Sequence, residues 1–334
     1  MKTNLIDWQK VDRVLVIRLR SIGDTVLATP SLIALRKFLP TAQIEILLED
    51  WVAPLLEGFD ANVIVADKSK LKTAKHIRQN RYDVVFNFHG GTTATFLTFA
   101  SGAKHRVGYS HYRYSFLHNH ILSSSADFWQ KPETHSAEQQ LALLGFAGVP
   151  VQDKPKSRLT VSDNQKIRHS KIPFALIHPA AAFESKQWSA RNFAQIADVF
   201  MQKGLQVVAV GTKKERETFD ELKKYAQVPI QCYDNLTLPQ ITSLASRAKI
   251  FVGNDSGVAH IAAAVNTPSV VIFGSSNMNH WSPWTDAANE IVFEKMPCNP
   301  CSGYVCKEFE KPECIKRVSV DMVTQAIERI LKTS

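Results

Sequence analysis

What most restricts the fold of this chain is one pattern written twice: short apolar runs rich in β-branched residues, each followed by a stretch with helical spacing. In the first half the runs are VLVIRL (residues 14–19), QIEILLE (43–49), NVIVA (62–66) and YDVVFNF (82–88). Between and after them come helical stretches through Phe38, at 51–56, at 70–80 (basic) and at 131–148. In the second half FALIHP (174–179), LQVVAVG (205–211), IQCY (230–233), KIFVGND (249–255) and SVVIFG (269–274) alternate with helical stretches at 190–202, 215–225, 238–245 and 258–265. Continuous apolar strands with helices between them need a sheet covered on both faces, which means parallel strands in an α/β fold. The polar, proline-bearing DKPKSR (153–158) separates the two series, so the pattern predicts an N-terminal domain over residues 1–158 and a C-terminal domain over 159–334. An amphipathic stretch at 320–331 has an apolar face to pack back on the first domain or on its own.

Ligands of open α/β sheets collect at the carboxyl ends of the strands, so the loops there carry the functional argument. In IRLRSIGDTVLATP (17–30), Asp24 stands in the first such loop, where a helix is expected to begin near residues 23–25. It reads either as a helix N-cap or as a carboxylate presented to a ligand. In FVGNDSGVAHIAAA (251–264) a strand ends in GNDSG and a helix starts at once. The amides of Ser256, Gly257 and Val258 are then placed to bind an anion, and His260 lies one turn in. The plain reading is an Asp255 or Ser256 cap with a core histidine.

Lys186 follows another strand end in AAAFESKQW (180–188), as a point charge suited to a diphosphate or as a solvated lysine beside a core tryptophan. Glu215 opens a helix after Gly211, placed for ribose hydroxyls or as a favourable first-turn carboxylate. Arg106 in KHRVGY and Arg113 in YSHYRYSFLHNH (109–120) mix with aromatics and histidines in what reads as a rim loop suited to sugars and phosphates.

Several classes lose their support. The sequence has no G-x-G-x-x-G, no G-x-x-x-x-G-K-[ST] and no H-E-x-x-H, and without D-x-D nothing suggests a metal-held diphosphate. No apolar run approaches the ~18 residues of a membrane span, and the first residues lack the apolar core of a signal peptide, so a cytoplasmic protein is expected. The formal charge of +9 divides as +4 over residues 1–150 and +5 over 151–334, which suits an acidic small ligand or an anionic membrane surface and marks neither half as a nucleic-acid module. Four of five cysteines, Cys298, Cys301, Cys306 and Cys314, form C-x2-C-x4-C-x7-C. In a reducing compartment that clustering leaves a structural zinc or iron–sulfur site, free thiols or a disulfide open, and only the first pair has ligand spacing.

The ordered set RSIGD-x-x-L-x-x-P (20–30), H-x-x-E-x-x-L-x-L-L (135–144), HPA…SKQW (178–188), GTKKE (211–215) and GNDSGVAHIAAA followed by TPSVVIFG (253–274) resembles the ADP-heptose:lipopolysaccharide heptosyltransferases, glycosyltransferase family 9. The resemblance implies the GT-B fold, two Rossmann-like domains facing a cleft. It implies an inverting, metal-independent transfer of heptose from ADP-heptose to an acidic lipopolysaccharide core acceptor, by a cytoplasmic protein peripheral to the inner membrane. By the same resemblance Asp24 matches the general base. Lys186, Glu215, Asp255, Ser256, Gly257 and His260 match the donor site, and Ser21, Gly23, Arg106 and Arg113 stand on the acceptor side. One departure is Ala180, where a glycine is common. A nucleotide-sugar epimerase of the same fold and a basic RNA-binding protein are the competing expectations.

Overall fold

The computed structural model describes residues 6–162, 167, 172–301 and 305–333. The chain divides into two compact units, Met1–Ser157 and Arg158–Ser334. In the first, β1 (Arg13–Leu19), β2 (Gln43–Leu48), β3 (Asn62–Val65), β4 (Val84–Asn87), β5 (His105–Tyr109) and β6 (His120–Leu122) form one parallel sheet in the order β3-β2-β1-β4-β5-β6. The helices are α1 (Ile22–Val26), α2 (Thr29–Phe38), α3 (Lys70–Gln79), α4 (Thr92–Ala100), α5 (Ser125–Trp129) and α6 (Ser136–Phe146).

The second unit repeats the plan. Its strands are β7 (Phe174–His178), β8 (Gln206–Val210), β9 (Ile230–Tyr233), β10 (Ile250–Asn254), β11 (Ser269–Phe273) and β12 (Asn289–Phe293), in the order β12-β11-β10-β7-β8-β9. Its helices are α7 (Ala190–Gln202), α8 (Arg216–Tyr225), α9 (Leu238–Ala245), α10 (Gly257–Ala264), α11 (Met278–Trp281), α12 (Glu313–Lys316) and α13 (Val320–Thr333). Strand pairs in both sheets are parallel, and the central strands β1, β4, β7, β10 and β11 are buried nearly throughout, as their continuous apolar runs require. Each unit is Rossmann-like.

Three strands exceed the sequence expectation. β5 and β6 flank the stretch read as a rim loop and take in only its end residues, Tyr109 and His120, and β12 follows the last strand expected. All three are short and have polar residues or a half-exposed edge, so they gain their place from a neighbouring strand and not from their own apolar run. The helix expected at 51–56 is a 3-10 turn, Ala53–Leu56. The helix after β1 is broken into α1 and α2, with Pro30 in the first turn of α2. The apolar face of α13 (Val323, Ala326, Ile327, Ile330) is buried on α7, β11 and β12 of its own unit.

The H-x-x-E motif at 135–138 has a structural explanation. His135 is the N-cap of α6, its ring nitrogen accepts from the Ala137 amide (3.1 Å), and Glu138 reaches back to the His135 amide (3.1 Å), a capping box. Glu138 also accepts from Lys131 (2.7 Å) and Lys154 (2.6 Å). Burial pushes the Glu138 carboxyl up, but these hydrogen bonds more than offset it and hold the carboxyl at about 2, below its ordinary 4.5. Its stabilisation is therefore present above about pH 4.5 and is lost as the pH falls toward 2. Glu138→Ala is expected to lower the unfolding free energy by about 2 kcal/mol at neutral pH. In urea titrations the difference from the wild type should shrink once the pH drops below that window.

Candidate active site

Both sheets reverse their strand order at one point, between β1 and β4 in the first unit and between β7 and β10 in the second. The loops leaving those strands diverge and open a crevice at the carboxyl edge, the position where ligands of this architecture bind. Ser21, Gly23, Asp24, Lys186, Asp255, Ser256, Gly257 and His260 lie in these loops or just inside the helix that follows, whereas Glu215, Arg106, Arg113, the His135–Glu138 capping box and the cysteines do not.

In the first unit the chain turns sharply out of β1. Leu19 takes a left-handed conformation (φ 61°) at an irregularity in the β1–β2 register, a cost of about 1–2 kcal/mol for a residue with a side chain. The turn sets Arg18, nearly buried, against the loop it precedes. One guanidinium nitrogen donates to the Phe88 carbonyl (2.7 Å) and another pairs with Asp24 Oδ1. Ser21 Oγ donates to Asp24 Oδ2 (2.9 Å), so both carboxylate oxygens are fixed. Asp24 lies inside the first turn of α1; the N-cap position belongs to Ser21, which makes no side-chain cap bond. The N-cap reading of Asp24 is thereby overturned: the capping hydroxyl turns to the carboxylate instead of to an amide. Gly23 lies in the same turn, between Ser21 and Asp24.

The loop after β4 completes this edge. Asn87, fully buried, accepts from the amides of His89 (3.1 Å) and Gly90 (2.9 Å). Gly90 has φ +76°, and a Cβ there would stand 2.5 Å from the Tyr112 ring, so no side chain fits. The His89 ring sits within electrostatic reach of Arg18 and Asp24, and its Nδ1 is buried without a hydrogen-bond partner. Burial, then repulsion from Arg18, pushes its pKa below 6.5, which keeps the imidazole neutral at pH 7. Arg106 is engaged elsewhere, donating to the carbonyls of Leu117 (3.0 Å) and Ala103 (2.6 Å), and Arg113 lies over the Tyr114 ring.

In the second unit Lys186 is paired, not left to solvent alone. Its ammonium pairs with Asp255 Oδ2 (2.8 Å), which also accepts from Ser276 Oγ (2.6 Å), while Asp255 is almost fully buried. Trp188, two residues on, is a core residue whose amide donates to Asn254 Oδ1 (3.0 Å) and whose indole donates to the Val318 carbonyl (2.7 Å). Asn254 Nδ2 donates to the carbonyls of Pro179 (3.0 Å) and Ala180 (3.3 Å). Ser256 is the N-cap of α10 but makes no side-chain cap bond, because its hydroxyl meets His178 Nδ1 (3.0 Å). Burial pushes the His178 pKa down against the opposing charge of Glu215. Gly257 and His260, the latter buried, fall in the first turn of α10. Glu215 closes a capping box with Thr212, whose amide donates to it at 2.6 Å, so the first-turn role is real, and its charge also reaches His178.

Sequence reasoning passed over Arg18, Asn87, His89, His178, Asn254 and Ser276. For Arg18 and His178 the signal was a basic side chain at the end of an otherwise apolar strand, and for the two asparagines the carboxamide ending VVFN and FVGN.

The five cysteines are free thiols, and Cys298, Cys301, Cys306 and Cys314 line one cavity with Ser185 and Ser275. The Cys301 amide donates to the Ser275 carbonyl (2.9 Å), and Ser275 Oγ bonds Ser185 Oγ (2.9 Å), so the cysteine segment props the turn that carries Lys186. Gly274 permits the approach, since a Cβ there would fall 2.1 Å from the Ser185 carbonyl. Among the described residues no group of three or more His, Cys, Asp or Glu is arranged to hold a metal ion.

The family model of glycosyltransferase family 9 (heptosyltransferase) matches residues 70–311. The chain is 27% identical over 309 residues to lipopolysaccharide heptosyltransferase 3 of Escherichia coli, covering 82% of this chain and 86% of that protein. It is 26% identical over 309 residues to lipopolysaccharide heptosyltransferase 2 of Escherichia coli strain K12, covering 84% and 87%. The solved structure of the E. coli ADP-heptose LPS heptosyltransferase II superposes with a TM-score of 0.82 at 21% identity, over 96% of this chain and 99% of that one, a likeness of fold. The fold is therefore of the GT-B class.

Asn254→Ala removes three hydrogen bonds from a site without water access. It should lower the unfolding free energy by about 2–3 kcal/mol in urea titrations, whereas a surface asparagine such as Asn289 changed to Ala should cost little.

Proposed function

This chain belongs to glycosyltransferase family 9, the heptosyltransferases, and is a glycosyltransferase; from that premise we propose that it moves a heptose from ADP-heptose to an acidic lipopolysaccharide core acceptor, with inversion. The observation that carries the donor half is the Lys186–Asp255 pair beside the uncapped start of α10. A diphosphate placed there meets an ammonium, free amides and the positive end of a helix dipole. The relatives' names, which specify lipopolysaccharide heptosyltransferases and, for one, ADP-heptose, favour this sugar and this nucleotide.

The chemistry follows from what each unit presents. An acceptor hydroxyl near Ser21 and Gly23 loses its proton to Asp24, its oxygen bonds the anomeric carbon, and the bond from that carbon to the diphosphate oxygen breaks with its electron pair leaving on ADP. Arg18 acts as a positioning residue, holding one Asp24 oxygen while Ser21 holds the other. Lys186 and the α10 amides take up the charge of departing ADP, so leaving-group stabilisation needs no D-x-D metal. In this reading Glu215, whose charge reaches His178, takes the ribose, and His260 the diphosphate. The cysteine segment supports the Lys186 turn, with or without an ion among its thiols.

Release of ADP from ADP-heptose that depends on added acceptor tests the reading; release without acceptor, or recovery of an epimerised sugar, would replace it with a hydrolase or epimerase. Asp24→Ala is expected to reduce kcat by about 10²–10⁴-fold while ADP affinity stays within a factor of about two. Preserved turnover with only a lower Tm would return Asp24 to a purely structural role. Lys186→Ala should weaken ADP binding about 10–100-fold by calorimetry. Arg18→Gln should lower kcat and leave ADP affinity unchanged.

A further inference from the structure

The charge that divides evenly between the halves of the chain is concentrated within the first. From Lys68 to Ala126 the sequence carries nine Lys and Arg against one acidic residue, Asp83, while the other residues of the first 150 hold eight basic and twelve acidic. Asp83 is turned to β1, where it accepts from the amides of Asp12 (2.9 Å) and Arg13 (3.0 Å). The same segment exposes aromatic rings that no core uses. Phe96 and Phe99, one turn apart on α4, are 38% and 50% exposed, and Tyr114 and Phe116, at the 3-10 turn Ser115–Leu117 that packs against α4, are 47% and 75% exposed. Arg106 lies over the Phe99 ring (5.9 Å) and Arg113 over Tyr114 (5.3 Å), while Arg78 of α3 donates to the Ala100 carbonyl (3.4 Å) at the end of α4. Aromatic side chains exposed singly are ordinary; four gathered among guanidinium groups mark an interaction surface.

We propose that this face of the first unit, made by α4, the 115–117 turn and the adjoining end of α3, docks on an anionic lipid bilayer. Phenylalanine and tyrosine rings enter the interfacial layer, and the guanidinium and ammonium groups around them bind lipid phosphates. The basic segment supplies the charge complement, about fivefold in affinity for each Lys or Arg at an anionic surface. Stacked bases of single-stranded RNA also favour basic and aromatic surfaces. Two phenylalanines on one face of a helix, however, form the apolar stripe of an interfacial helix, not a succession of base platforms. The purpose of the surface rests on the proposed glycolipid acceptor; its chemistry does not.

Sedimentation with vesicles of phosphatidylcholine, alone or with roughly one third phosphatidylglycerol, tests it on the full chain. The protein should sediment with the anionic vesicles, not the neutral ones, and be released as salt rises from about 0.05 to 0.5 M. Phe96→Ser/Phe99→Ser and, separately, Lys75→Glu/Arg78→Glu should each weaken vesicle binding at least about tenfold, with ADP affinity unchanged and cooperative unfolding retained. The proposal is overturned if both double variants bind like the wild type, if neutral vesicles bind as well as anionic ones, or if the wild type ignores vesicles and binds single-stranded RNA. Turnover with a lipid-free acceptor sugar reports on the catalytic reading alone: its absence, with vesicle binding intact, would sink that reading and leave the docking surface standing.

Discussion

A buried carboxamide at the carboxyl end of the fourth strand holds the loops of each unit in place. Where a parallel sheet reverses its strand order, the chains leaving neighbouring strands diverge and their backbone groups lose ladder partners in a place closed to water. Asn87 meets this in the first unit by accepting from two amides of the loop it precedes. Asn254 meets it in the second by donating to two carbonyls of the loop after β7 and accepting from the amide of Trp188. Only a side chain with both donor and acceptor serves both purposes. Because Trp188 is also tied to Val318 and packed on Phe193, the position of Lys186 two residues earlier is inherited from the core.

Each unit then places a cation against a carboxylate at the same topological point, Arg18 with Asp24 and Lys186 with Asp255. A carboxylate taken largely out of water needs such a partner, and losing the partner costs more than losing the pair. The two pairs differ in what they leave available. Arg18 is anchored to the Phe88 carbonyl and serves as a fixed brace, whereas the Lys186 side chain is a quarter exposed and has a flexible stem that can share its ammonium between Asp255 and a second anion.

The fold was legible where apolar runs are long enough to declare themselves: the core strands and the alternation that makes them parallel follow from hydrophobic pattern alone. β5, β6 and β12 were not, because strands of three to five residues with histidine, arginine or glutamate in them are fixed by their neighbours. The candidate site was legible where its residues sit in glycine-bearing loops after strands, as Asp24, Asp255 and Ser256 do. Arg18 was hidden because its partners, the Phe88 carbonyl and the loop beyond its own strand, are set by strand order, which local spacing does not encode. The cap reading of Asp24 failed for a related reason: a cap is decided by which hydrogen bond a hydroxyl prefers, and Ser21 prefers the carboxylate.

The hydroxyl of Ser256 is spent on His178, so α10 begins without the side-chain cap that its N-cap residue would ordinarily supply. A helix start left in this condition makes occupancy and folding a single equilibrium: an anion that satisfies those amides is both ligand and cap, and its binding free energy is added to the stability of the unit. Were the proposed donor to bind there, its diphosphate would finish the helix that the loop-borne serine leaves uncapped.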